Sequence, residues 1–369
     1  MEKREIGSNF YLSTAELSAL AVITAKKPTP SAKIADERFL SGGRQAIRFC
    51  LRDLQQDPER EEGRKVAILP EHTCASVIQP FQQENYELYF YPLQQNLKAS
   101  FAEINRLSEQ YRATVVLFHP YFGFDTMVQD EVLRSDVKYI YDATHSFYSC
   151  IDYPQVDYQI ASIRKWGAFL DGGYCSKLKS GFYPQDIRSQ DTEMLAVQEE
   201  AYRLKAEYIS AGQGDKARFL ELYHQASDML KTREEIHEMS VLAQNYYFSF
   251  DETAMKEQRR SNYEELLSFP GWADIGEVVF PDLSATQVPL YFPFFVRDGQ
   301  RDLLQSFLIK EDIYAPVIWP LPCFLNTVGV SATSQWIYDH MLVLPIDQRY
   351  RATDMIRIKA ALSNFLNQR

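Results

Sequence analysis

No stretch of the chain is long and apolar enough to span a membrane, and no apolar run follows Met1 to Glu5 that would serve as a signal peptide. The five cysteines, Cys50, Cys74, Cys150, Cys175 and Cys323, are odd in number and share no short spacing, so neither a disulfide framework nor a metal site is indicated. Positive charge is also short: 39 Lys and Arg stand against 50 Asp and Glu, a net charge of -11. That balance opposes binding to nucleic-acid phosphates or to an anionic membrane surface. Internal repeats and low-complexity segments are missing as well. These absences leave a soluble, cytoplasmic protein whose partners are small molecules.

What is present is an ordinary globular composition, 46% hydrophobic and 24% charged, over 369 residues, enough for one large unit plus a smaller one. Short apolar runs at 66–70, 87–93, 114–120, 138–144, 158–163 and 173–177 read as strands. Amphipathic segments alternate with the first of them; in one, Ile47, Cys50, Leu51 and Leu54 share a helical face. Such alternation predicts a mainly parallel α/β sheet covered by helices on both sides. From about residue 190 the texture changes to long charged helices at 193–208 and 216–239, broken at Ser210 to Gly214. Strands at 288–296 and 341–345, helices at 301–309 and 351–366, and a Pro-rich turn at 316–322 complete a smaller α+β part. The expected division is 1–245 and 246–369, with the N-terminal 30 or so residues packing on the smaller part or on a partner.

Four segments could carry chemistry. Ser41-Gly-Gly43-Arg44 opens a helix, where glycine lets backbone approach an anion and the free N–H groups favour phosphate, although Ser and Gly also begin helices for structural reasons alone. Pro70-Glu-His72-Thr-Cys74 joins a strand to a helix and offers His72 or Cys74 over a bound ring, or is simply a turn. Asp142-Ala-Thr-His145 ends an aromatic and aliphatic strand, a costly place for a carboxylate unless it meets a cation such as a protonated ring nitrogen; the alternative is a helix cap with a surface His. Ser162-Ile-Arg164-Lys165 ends the next strand. There Ser162 can bond a phosphate while Lys165, lowered in pKa if Arg164 points inward, reaches a carbonyl carbon; a lone Lys is otherwise a solvated surface residue. The apolar Phe169-Leu170 and the pair Gly172-Gly173 after it indicate a buried turn.

In this order the segments resemble fold-type I pyridoxal phosphate (PLP) enzymes, and most closely the DegT/DnrJ/EryC1/StrS aminotransferase family. The resemblance covers roughly residues 35–180 and extends more weakly into the C-terminal part. It implies the PLP-dependent transferase (aspartate aminotransferase-like) fold. It also implies cofactor attachment at Lys165, pairing of Asp142 with the ring nitrogen, and His145 where the family commonly has Gln. The phosphate would lie at Ser162, Gly43 and Arg44. An amino acid donor, glutamate by family habit, would supply nitrogen to a keto acceptor such as a keto sugar, in a homodimer. Cys74 stands where the family places a stacking aromatic residue, so stacking passes to His72 or His145. Competing readings are a PLP-dependent lyase or dehydratase, against which the presence of Lys165 counts, and a degenerate PLP-fold binding or regulatory protein.

Overall fold

The computed structural model describes residues 5–23, 34–58, 63–212, 214–297 and 299–368. Residues 1–4 and 24–33, which include much of the predicted N-terminal segment, and Gln213 of the predicted helix break lie outside that set. The strands in chain order are β1 (Asp36–Leu40), β2 (Val66–Pro70), β3 (Glu87–Tyr91), β4 (Ala99–Ser100), β5 (Val115–Phe118), β6 (Met127–Val128), β7 (Lys138–Asp142), β8 (Tyr158–Ala161) and β9 (Gly173–Lys177). Seven of them form one sheet in the order β1-β9-β8-β7-β5-β2-β3, and β4 pairs only with β6. Strands β3, β2, β5, β7 and β8 are mutually parallel, whereas β9 runs antiparallel to β8 and β1.

Successive residues of these strands enter two different cores, Val116 and Phe118 one and Val115 and Leu117 the other, which is the signature of a sheet covered on both faces. The first helices are α1 (Thr14–Val22), α2 (Gly43–Gln55), α3 (Ala75–Gln83) and α4 (Phe101–Tyr111), followed by α5 (Thr192–Ala211), α6 (Lys216–Thr232), α7 (Val241–Ser249) and α8 (Glu252–Leu267). A smaller antiparallel sheet, β10 (Gly276–Val278), β11 (Phe292–Val296) and β12 (Met341–Leu344), lies near the C-terminus with a helix at Ala352–Asn367. The predicted parallel α/β architecture is thus the observed one.

Several boundaries shift for physical reasons. The strands expected to reach residues 93, 120, 144 and 163 stop at Tyr91, Phe118, Asp142 and Ala161, because beyond these points the chain leaves the ladder and turns across the sheet's C-terminal edge. The predicted strand 288–296 begins only at Phe292; Val288 and Leu290 instead pack with Trp166, Tyr148 and Met255. The helix predicted to run to Met239 ends at Thr232, where Arg233 is captured by Asp191 and Glu193. His237 and Glu238 then bridge to Arg188 and Leu40. Strand β1, with the sequence Asp-Glu-Arg-Phe-Leu, carries too much charge to be read as a strand, yet as the sheet's edge it tolerates that charge.

Candidate active site

The parallel register decides what meets at the C-terminal edge. Phe118 pairs with Tyr141 and Asp142 with Ile160, so His119, Asp142 and Ser162 emerge side by side from β5, β7 and β8. Helix α2 starts opposite: a Cβ added to Gly43 would come within 2.9 Å of the Ser162 Cβ, so only glycine lets the helix start approach this closely. The cap position of α2 is Gly42, which has no side chain to bond the first-turn N–H groups, and the Ser41 hydroxyl is buried without a partner. The capping explanation for Ser41 is therefore not what the structure shows. The uncapped N–H groups remain available to an anion.

Two arginines flank that point. Arg44 and Arg164 each bury an Nε that has no hydrogen-bond partner. Burial pushes both guanidinium groups below their ordinary pKa, and for Arg44 the Arg164 charge adds to the effect.

Asp142 is buried, 2% exposed. Its Oδ1 accepts the Thr144 backbone N–H at 2.9 Å, the local turn expected where Asp is followed by a tight bend. Its Oδ2 lies 3.6 Å from His119 Nδ1, too far for a hydrogen bond. Burial lifts this carboxyl to about 6, only partly opposed by the Thr144 hydrogen bonds and the Lys165 charge. His119 is itself buried and held down to about 3, chiefly by desolvation, so it is neutral and the short approach is not an ion pair. One carboxylate oxygen is left for a cation.

Lys165 closes a short 3-10 turn after β8, Ile163–Lys165, and its side chain opens into a cavity of about 430 Å³. The side chain is exposed to solvent through the cavity, yet the protein packed around it lowers its pKa, desolvation first; Arg164 and Arg44 add to this, while Cys74 and Asp142 oppose it. The turn is held by Ser162 N–H donating to Thr144 Oγ1 at 2.9 Å and Trp166 Nε1–H donating to the Thr144 carbonyl at 2.9 Å. The Asp142 and Lys165 segments are thereby tied together through one residue. The buried turn expected after Lys165 is present: Phe169, Leu170 and Asp171 are all enclosed.

His72 and His145 are completely enclosed, and neither ring forms a hydrogen bond of good geometry. Together with His119 they surround Trp319: His145 stacks on the indole at 4.9 Å between ring centroids, with His119 at 5.2 Å and His72 at 5.5 Å. Burial holds His72 down to about 3 and drives His145 well below its ordinary value. Cys74 caps α3 without a capping hydrogen bond, accepts from the Ser76 hydroxyl at 3.0 Å, and lies within the electrostatic reach of Arg44 and Lys165. Of the predicted residues, Gly43, Arg44, Cys74, Asp142, Ser162 and Lys165 are therefore neighbours, with Ser162 and Lys165 lining the cavity itself. His72 and His145 lie in the adjoining ring cluster.

Two contributions were not read from the sequence. His119 was detectable, since it follows its strand as Asp142 ends the neighbouring one. The segment Gly7 to Phe10 forms one wall of the Lys165 cavity, fastened by Arg349 to the carbonyls of Ser8 and Asn9 and by Tyr223 to that of Phe10. Nothing local in the sequence signals this. Arg259 and Asn262 of the charged α8 are buried: Asn262 donates to the carbonyls of Ile346, Asp347 and Tyr350, and Asp347 lines the Lys165 cavity.

No family model and no curated protein matches the sequence. Solved structures do match. PseC of Helicobacter pylori, an aminotransferase involved in pseudoaminic acid biosynthesis, superposes with a TM-score of 0.68 at 12% identity, covering 99% of this chain and 100% of that one. The fold is that of the PLP-dependent aminotransferases. Spr1654 from Streptococcus pneumoniae, described as a sugar aminotransferase and solved in its PLP form, gives a TM-score of 0.65 at 11% identity over 99% of both chains. A DegT DnrJ EryC1 StrS aminotransferase from Brucella abortus gives 0.60 at 13% identity over 96% of this chain and 91% of that one. At such identities the likeness establishes the aminotransferase fold. The chemistry of this chain must be argued from its own residues.

Proposed function

We propose that the protein is a PLP-dependent aminotransferase that moves nitrogen from an amino acid donor to a keto acceptor. The observation that carries this reading is the placement of three incomplete groups around Ser162 and Lys165: a buried carboxylate with a free oxygen, an amine of lowered basicity, and an uncapped helix start beside an arginine whose Nε has no partner. Each lacks what PLP would bring, namely a ring N–H cation, an aldehyde carbon and a phosphate. The residues present fit the group. The one mismatch is on the ring face, where Cys74 supplies a thiol in place of an aromatic ring.

When bound, PLP supplies the electron sink for bond changes at an amine-bearing carbon. Asp142 Oδ2 would hold the ring nitrogen protonated, and its burial makes that charge pair stronger than it would be in water. Ser162, the Gly43 N–H and Arg44 would fix the phosphate. Lys165 Nζ would anchor the cofactor and, when free, carry a proton within the cavity. Phe10, Tyr223 and Tyr291 narrow the approach of water.

A keto sugar is the first acceptor class to test, because several structural neighbours are described as sugar aminotransferases. The reading includes glutamate as donor, a homodimer in the cytoplasm, and a division of the chain near residue 245. Among the described residues no helix is long and apolar enough to cross a membrane, in keeping with small-molecule partners.

The test is direct. Borohydride reduction of the PLP-treated protein should leave a cofactor adduct on the peptide containing Lys165, and an amino donor added first should prevent it. Retention of that label in Lys165→Ala would overturn the reading.

A further inference from the structure

One cation in the Lys165 cavity is unaccounted for. Arg349 shows what a satisfied arginine in this wall looks like: Asp347 grips it at 2.8 and 2.9 Å, it donates to the Ser8 carbonyl at 2.8 Å, and it lies 4.0 Å above the Phe10 ring. Arg164 lines the same cavity, yet among the described residues it forms no hydrogen bond and no ion pair, and its Nε is buried. The groups that might serve it are engaged elsewhere. The Tyr202 hydroxyl donates to the Phe169 carbonyl at 3.0 Å, and Asp171 accepts from the Ser240 N–H and hydroxyl at 3.0 and 2.6 Å. Arg164 is half-buried, and in a chain of net charge -11 a guanidinium whose Nε is enclosed with no bond to the nearby Asp171 carboxylate is costly to maintain.

Under the proposed function, a cofactor phosphate would have the α2 start, Ser162 and Arg44 without calling on Arg164. Arg164 lies on the same cavity wall as Gln198 and Tyr202 of α5, beside the amine where substrate must arrive. Resting on the functional reading above, we propose that Arg164 binds an oxyanion carried by the substrate, a carboxylate or a phosphate, and so selects which molecules reach Lys165. A planar guanidinium suits either group, because both can accept two parallel N–H bonds.

The experiment uses PLP-loaded protein, so that the phosphate cup is filled, and titrates it calorimetrically with glutarate and with phenyl phosphate, which have neither amine nor ketone and bind without reacting. Wild type should bind at least one of them. Arg164→Gln should weaken that ligand by about 10- to 100-fold, Arg164→Lys should recover part of the loss, and the affinity for PLP should stay within about twofold in both variants. The ligand that responds identifies the oxyanion. The proposal is overturned if wild type binds neither, if Arg164→Gln binds as wild type does, or if the variants lose PLP while keeping ligand affinity. Failure of borohydride labelling at Lys165 would instead strike the functional reading, because the label reports cofactor attachment whereas the titrations report ligand affinity at Arg164.

Discussion

Before PLP binds, Asp142 should weaken the fold it belongs to. Its carboxyl is raised from 3.8 to about 6 by burial, so the folded protein holds that proton more tightly than the unfolded chain does. Stability is therefore greatest at low pH, falls as pH rises from near 3.8 through 6, and stays at the lower level above. A shift of about 2 units corresponds to about 3 kcal/mol at pH 8. With Asp142 only 2% exposed, surface screening takes little from that figure. Asparagine keeps the oxygen that accepts from Thr144 N–H and lacks the charge. Asp142→Asn in cofactor-free protein should thus be more stable than wild type by about 3 kcal/mol at pH 8, a rise in Tm of about 4 °C for a chain of this length. At pH 5 the advantage should be about half as large, since the wild-type carboxyl is by then mostly protonated.

Scanning calorimetry of both proteins at the two pH values checks this. Asp171, likewise raised to about 6 by burial, gives both proteins the same slope, so their difference isolates Asp142. Adding PLP should reverse the order, because only the carboxylate gains a ring cation. The reasoning is refuted if the variant is no more stable than wild type at pH 8, or if its advantage is undiminished at pH 5.

Other substitutions probe the frame. Gly43→Ala should push the start of α2 away from Ser162 and raise the PLP dissociation constant by about tenfold, measured by fluorescence quenching. Gly173→Ala would place its Cβ 2.2 Å from the Gly42 carbonyl oxygen, a backbone clash that should cost about 3 kcal/mol in urea unfolding. Arg349→Ala leaves Asp347 without its partner and releases the carbonyls of Ser8 and Asn9, on the order of 3 kcal/mol, and hydrogen exchange should rise across residues 5–12.

The parallel core was legible because its strands are apolar on both faces and end in residues of distinct chemistry. Asp142 could be suspected from one sequence because a carboxylate closing an aromatic strand is improbable without a role, and Lys165 because a buried turn follows it. What could not be read were groups recruited by distance in the chain. Arg349 reaches Asn9 across 340 positions, and His119 meets Trp319 across the fold. Nor could the sequence tell satisfied arginines from unsatisfied ones. Neither Arg259 nor Arg164 has a local mark of its partners, yet Arg259 is bound to the Leu290 carbonyl at 2.9 Å while Arg164 has no hydrogen-bond partner among the described residues.

The three enclosed histidines explain why the charges at the sheet edge stay available. A protonated His119 at 3.6 Å would neutralise Asp142 and occupy the oxygen left free for a ring cation. Desolvation prevents that by holding His119 and His72 near 3 and His145 well below its ordinary value. The cluster around Trp319 therefore offers polar edges without competing charge. Beside the paired Asp347 and Arg349, the charges of Asp142, Lys165, Arg44 and Arg164 can each be answered by a ligand group. An uncharged imidazole beside a buried carboxylate suits a site that must accept a cationic ring; a charged one would have filled the place already.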